Sequence, residues 1–306
     1  MKAAGTHTVA LMGTLITIEM SGRPGRPPDE SAREAAMARA FDWFRRVEEA
    51  CNRFDGASEL RRLSTCIGTP VSVSGLLYEA VQFALAVAEE TGGAFDPTIG
   101  LRMEEAGFNR DYRTGQPVNT ALVAHGPVSY RDVRLDSAAR TVTLLRPLLL
   151  DLGAVAKGLA IDLAARELAP FENFAIYAGG DLYLGGHNPA GEPWSVGIRH
   201  PREPGQVIET LLVSDAAVCT SGDYERRAPG GGPGHHLLDP RTGAPAAGCA
   251  SVTVVAPAAM VADALATAAF VLGPAEGLSL LENHEADGLI FTPALERFAT
   301  GGMQDE

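Results

Sequence analysis

Two residues four apart, Asp263 and Thr267, sit in the stretch 251–273, SVTVVAPAAMVADALATAAFVLG. The stretch opens with an alternating apolar run, breaks at Pro257 and continues as an Ala-rich helix. Residues four apart share one helix face, one turn apart. A carboxylate and a hydroxyl placed so are two hard oxygens aimed the same way, which suits a small divalent cation. The same pair has a plainer use. Asp263 can complement the positive end of a helix, and Thr267 can bond back to a carbonyl one turn earlier. Spacing alone does not choose between them.

Short glycine-containing turns beside an acid recur elsewhere. They are Gly93-Ala-Phe-Asp96-Pro, Asp151-Leu-Gly-Ala-Val-Ala-Lys157-Gly158, Ala178-Gly-Gly-Asp181 and Ser221-Gly-Asp223-Tyr224. Glycine lets backbone amides and carbonyls come close to a ligand, and acids bind ribose hydroxyls, ring N–H groups or metals. Each one singly reads as an ordinary tight turn. Four in one chain point to a nucleotide-like ligand held largely by backbone. The common phosphate and hydrolase templates are absent: there is no GxxxxGK[ST], no strand followed by GxGxxG, no GxSxG and no HExxH.

These residues need a scaffold, and the composition bounds it. The 306 residues, 46% of them hydrophobic, allow one large core or two modest ones. A net charge of -13 argues against nucleic acid or an anionic membrane as partner, since either would need a basic face. Cys51, Cys66, Cys219 and Cys249 form no CxxC, so neither a structural zinc site nor a redox dithiol is expected. The N-terminal stretch carries Thr and His where a signal peptide needs unbroken apolar residues, and no run of about 20 apolar residues occurs. The expectation is a cytoplasmic protein with no membrane insertion.

The pattern along the chain predicts a strand over 8–20, a Pro- and Gly-rich connector over 22–28, and a helix over 31–50 opened by a Ser31/Glu34 capping box. A second helix, 75–91, takes Ser74 as its cap. An irregular region follows at 96–128, then a hairpin over 134–145 and a strand over 148–153 leading into a helix at 156–169. Strands flank 178–181 and recur at 194–199 and 209–213; residues 219–226 read as a turn and 229–234 as a flexible tip. A helix at 275–283 and a strand at 288–291 close the chain. Helices and strands alternate irregularly with short turns between strand pairs, which favours an α+β fold over a doubly wound parallel sheet.

The ordered segments MGT, GAFDPTIG, LDLGAVAKGLAID, AGGD, WSVGIRHP, TSGDYER, HHLLDPRTG and VTVVAPAAMVADALATA resemble the flavin transferase (ApbE) family from about residue 9 to 291. The resemblance implies one compact α+β unit spanning 1–306, with packed helices and mixed or antiparallel sheets. It implies a Mg²⁺-dependent enzyme that splits FAD at the pyrophosphate. The FMN part would be attached through a phosphoester to a Thr or Ser hydroxyl of an acceptor protein, with AMP released. By position, Asp263, Thr267 and the Ala154 carbonyl are implied metal ligands. Met12, Phe54, Ala94, Phe95, Asp96, Asp151, Lys157 and Leu237 are implied FAD contacts, with Ala178, Gly179, Gly180 and Asp181 lining the same site. His236 is the implied proton acceptor for the hydroxyl, or else a histidine that packs on the flavin or bonds a phosphate. Lys157 would add a point charge near the phosphates, its plainer reading being a solvated residue at a helix start. His235 would point away if the segment is extended. The other readings of the same residues are a Mg²⁺-dependent FAD pyrophosphatase and a non-catalytic flavin-binding or delivery protein.

Overall fold

Alternation of apolar residues sets the central sheet. In the strand Phe174–Ala178, Phe174, Ile176 and Ala178 face one hydrophobic core while Ala175 faces another. Successive side chains point to opposite faces, so a strand apolar throughout buries both faces of the sheet. The computed structural model describes residues 5–21, 29–123, 125–227 and 234–303. Its main sheet has eight strands in the order β1-β2-β6-β7-β10-β11-β12-β13, each neighbour pair antiparallel. These are β1 (Gly5–Leu11), β2 (Thr14–Met20), β6 (Phe174–Ala178), β7 (Asp181–Gly185), β10 (Ala216–Gly222), β11 (Ser251–Ala256), β12 (Asp287–Phe291) and β13 (Arg297–Ala299). A small sheet joins β3 (Val71–Ser72), β5 (Thr141–Leu144) and β4 (Val133–Asp136).

Helices cover one face. The long ones are α1 (Glu30–Cys51), α3 (Gly75–Glu90), α5 (Gly153–Leu168) and α6 (Ala259–Leu272), and their buried stripes make the larger core with Ile16, Ile18, Ile176 and Val252. The ribbon β8 (Trp194–Arg199) and β9 (Val207–Val213) covers the other face, setting Trp194, Val196 and Ile198 against Ala175, Leu184 and Val218. The architecture is α+β with antiparallel sheets. Among the described residues no helix is long and apolar enough to cross a membrane.

Several boundaries differ from the sequence expectations. Residues 8–20 are two strands, not one. Met12 (φ 53°) and Gly13 (φ 77°) form a two-residue turn between Leu11 and Thr14, the geometry that matches strand twist in hairpins. Apolar residues run up to Met12 and resume at Leu15, which hides the turn. Helix α1 is capped by Asp29, whose side chain accepts from the Ser31 N–H at 3.0 Å, so Ser31 is not the cap. Of residues 148–153 only Leu149 pairs, in an isolated parallel bridge with Ile99. Residues 219–222 belong to strand β10, and the irregular 96–128 region contains a short helix, α4 (Gly100–Glu105). Ser74 caps α3 as expected, accepting from the Leu77 N–H at 3.2 Å. The 22–28 connector and the tip at 229–233 lie outside the described residues.

Two features lock α5 against α6. A Cβ on Gly158 would lie 2.4 Å from the Met260 Cα, so only glycine permits this helix approach. Four residues on, Asp162 accepts from the Ala259 N–H at 2.7 Å and the Met260 N–H at 3.0 Å. The N-cap of helix α6 is Ala258, whose methyl cannot accept a hydrogen bond, and the Asp162 carboxylate satisfies the first free amides instead.

Candidate active site

The lock brings the first turn of α5, with Ala154 and Lys157, alongside Asp263 and Thr267 of α6. All four line a cleft of about 550 Å³. Met12, Phe54, Ala94, Phe95, Asp96, Asp151, Gly179, Asp181, His236 and Leu237 line it too. Two expected residues do not. Ala178 is fully buried in the helix-side core, and Gly180 (φ 114°) completes the turn from β6 to β7 without facing the cleft.

Around the α5–α6 contact the polar groups are hard oxygens and one cation. Lys157 Nζ forms an ion pair with Asp181 and lies 3.5 Å from Asp263 Oδ2. The second Asp181 oxygen accepts from the Thr220 N–H at 3.3 Å. Thr267 Oγ1 is 3.2 Å from Ser221 Oγ, on β10. Asp263 is buried, and its one side-chain partner among the described residues is Lys157, at a distance longer than a strong charge-assisted bond. Its carboxylate thus has lone pairs to spare. Among the described residues no group of three His, Cys, Asp or Glu could hold a metal ion. A metal here would need the Thr267 hydroxyl and the Ala154 carbonyl beside the Asp263 carboxylate. That all-oxygen set is the one Mg²⁺ accepts, with open positions left for other oxygens.

In the turn at 93–96, Ala94, Phe95 and Asp96 line the cleft, and the acid also holds the fold. Asp96 accepts from Thr98 N–H (2.9 Å), Thr98 Oγ1 (2.8 Å) and Tyr130 N–H (3.0 Å), so its carboxylate is engaged by the protein. Burial pushes its pKa up against those bonds. Another part of the lining is held by Arg53, with 5% of its surface exposed, which reaches Asp151, Phe54 and Phe108. The segment after α4 adds Gly107, Phe108, Arg110 and Tyr112 to the lining. Tyr112 donates to Glu48 Oε1 at 2.7 Å, and Arg113 lies 2.9 Å from Glu48 Oε2. The Tyr112 ring covers Gly13, where an added Cβ would meet it at 3.6 Å.

The two adjacent histidines diverge as the extended segment requires. His235 is buried, with Nε2 2.9 Å from the Ala246 carbonyl and its ring edge-on to Phe270. It belongs to the core. His236 faces the cleft, edge-on to Phe108. Its Nδ1 is shut off from solvent without a hydrogen-bond partner, which leaves Nε2 as the open ring nitrogen. Burial, followed by the nearby charges of Arg226 and His235, lowers its pKa from 6.5 to about 4, while the Arg226 carbonyl and Asp151 pull weakly the other way. The ring is therefore neutral near pH 7, the state in which a histidine can take a proton.

Sequence reasoning assigned no role to Arg53, Glu48, Tyr112 and Asp162, and read Ser221 only as part of a glycine-containing turn. Only Asp162 left a trace along the chain: it shares a face of α5 with Gly158, four residues before it, and that face meets α6. The others act on partners far away in sequence.

Comparison with known proteins adds a family. The model of the ApbE family matches residues 12–290. The chain is 33% identical to the FAD:protein FMN transferase of Treponema pallidum, over 96% of this chain and 86% of that protein. It is 31% identical to the Haemophilus influenzae FAD:protein FMN transferase, over 74% of this chain and 69% of that one. Among solved structures, the ApbE protein of Thermotoga maritima superposes with a TM-score of 0.83 at 31% identity, covering 98% of this chain and 97% of its own. The flavin transferase ApbE of Vibrio cholerae gives a TM-score of 0.81 at 26% identity, with 97% of each chain covered.

Proposed function

The chain belongs to the ApbE family, and on that premise we propose that it moves the FMN part of FAD onto a Thr or Ser hydroxyl of an acceptor protein. One observation supports this reading above the others. Ala154, Lys157, His236, Asp263 and Thr267, from three segments distant in sequence, line a single cleft beside the backbone turns at 93–96 and 151–153.

The roles follow from what each group can do. The acceptor hydroxyl oxygen attacks the phosphorus on the FMN side of the pyrophosphate. A new P–O bond forms, the bond to the bridging oxygen breaks, and that oxygen leaves with AMP. The open Nε2 of His236 takes the hydroxyl proton, which a neutral imidazole does and an imidazolium does not. Lys157, oriented by Asp181, supplies positive charge to phosphate oxygens. Asp263, Thr267 and the Ala154 carbonyl would hold Mg²⁺, which when bound neutralises charge developing on the pyrophosphate. Tyr112 and Glu48, joined by a hydrogen bond, form part of the cleft lining.

The test is direct. Protein, FAD, Mg²⁺ and a Thr-bearing acceptor domain should give flavin fluorescence that survives denaturation, together with AMP in equal amount. FMN and AMP released at a rate indifferent to acceptor would replace this reading with a pyrophosphatase. Asp263→Ala should abolish transfer and the Mg²⁺ response while FAD still binds. Full activity in that variant would remove Asp263 from the metal site.

A further inference from the structure

We propose that Arg53 is a positioning residue for the dinucleotide, fixing three walls of the cleft through one guanidinium. The proposal rests on the FAD reading above. Arg53 follows α1 directly and is almost wholly buried. Its Nε lies 2.7 Å from Asp151 Oδ2. Its Nη2 donates to the Phe108 carbonyl, and its guanidinium carbon sits 4.0 Å from the centre of the Phe54 ring. Phe54, Phe108 and Asp151 all line the cleft, and they come from separate stretches of the chain. The remaining nitrogen, Nη1, is buried and has no protein acceptor.

Fold stability alone is a poor reason for this arrangement. Burying an ion pair costs desolvation that its own attraction barely repays, and an apolar pair of the same size is often as stable. What the guanidinium supplies is geometry: five N–H groups in a rigid planar fork, with a flat face for an aromatic ring. The other oxygen of Asp151 accepts from the Gly153 N–H at 2.8 Å, the first residue of α5. Arg53 therefore fixes the carboxylate on which the start of α5 is built, two residues before Lys157's turn begins. At the same time it holds the Phe54 ring flat, and it tethers the segment leading to Tyr112.

FAD titration by flavin fluorescence, in EDTA and without acceptor, tests this apart from turnover. Arg53→Gln should weaken FAD roughly tenfold or more, the size expected for losing one buried charged anchor. With Mg²⁺ and acceptor, KM for FAD should rise by a like factor while kcat at saturation stays within about threefold, the pattern of lost ground-state positioning. Arg53→Lys should restore only part of the affinity, since it keeps a charge for Asp151 but not the fork or the plane. In an Asp151→Asn background the same Arg53→Gln change should cost at least threefold less, because coupled neighbours are not additive. That double variant has no orphaned buried charge, so it serves if Arg53→Gln alone fails to fold. Wild-type affinity in folded Arg53→Gln, or full additivity with Asp151→Asn, overturns the proposal. Wild-type protein that does not bind FAD at all overturns the flavin reading as well, and is read before any variant.

Discussion

Titrating His236 gives the most demanding test of how the site works. The perturbation is pH, and its control is His236→Gln. The folded pKa of about 4 lies below the ordinary 6.5 because the ring is buried near Arg226. That interval corresponds to ~3 kcal/mol favouring the neutral ring in the folded protein. The unfolded chain binds the proton first as pH falls. His236 therefore leaves stability untouched above about pH 6.5, lowers it progressively toward pH 4, and lowers it no further below that. The difference in urea unfolding free energy between wild type and His236→Gln should shrink by up to ~3 kcal/mol across this window, with the variant cancelling contributions from carboxylates. Function follows the same sign. The acid limb of kcat/KM, which reports the free enzyme, should lie near pH 4, not 6.5. The limb of kcat should lie higher, since the bound diphosphate is anionic and favours the imidazolium. Arg226→Ala should raise the His236 pKa, because it removes the second largest cause of the depression. The readout is the imidazole C–H proton resonance, assigned by its loss in His236→Gln. A resonance titrating at or above 6.5 would refute both the burial argument and the idea of a base kept neutral by its pocket.

Two further changes test the α5–α6 lock. Asp162→Ala removes the acceptor for the Ala259 and Met260 amides, and should cost ~1–2 kcal/mol in urea unfolding, the range for a lost helix cap. An unchanged midpoint would show that water replaces the cap without loss. Gly158→Ala drives a methyl into the Met260 backbone, and should cost ~1–3 kcal/mol as the helices separate. Its Mg²⁺ response should weaken more than its FAD affinity, because the displaced helix carries Asp263; equal losses of both would mean that the two sites move as one.

The local features of the fold were legible wherever a signal sits within one turn of its effect. Ser74 caps α3, and the α1 stripe of Met37, Ala40, Phe41, Phe44 and Val47 is buried as its spacing demands. The β1–β2 turn was not, because apolar residues run up to Met12 and resume at Leu15 with only Gly13 and Thr14 between. At the site the deeper difference concerns the acids. Beside glycine, an acid reads as a group offered to a ligand. In the fold these acids serve the protein: Asp96 holds Thr98 and Tyr130, Asp151 holds Gly153 and Arg53, Asp181 pairs with Lys157, and Asp223 takes Arg202 in a two-pronged bond. Each carboxylate builds a turn or a wall. At 93–96, 151–153 and 179–181 it is residues of that turn that line the cleft. Such partners lie up to about a hundred residues away, so no spacing rule could assign them. Asp263 is the contrast. It sits mid-helix beside no glycine turn, and its only side-chain partner among the described residues is the distant ammonium of Lys157. A buried carboxylate with so little compensation is costly unless something else binds it. The acid least tied to the fold is thus the one most open to a cation, and the four-residue spacing to Thr267 acquires its meaning from that deficit.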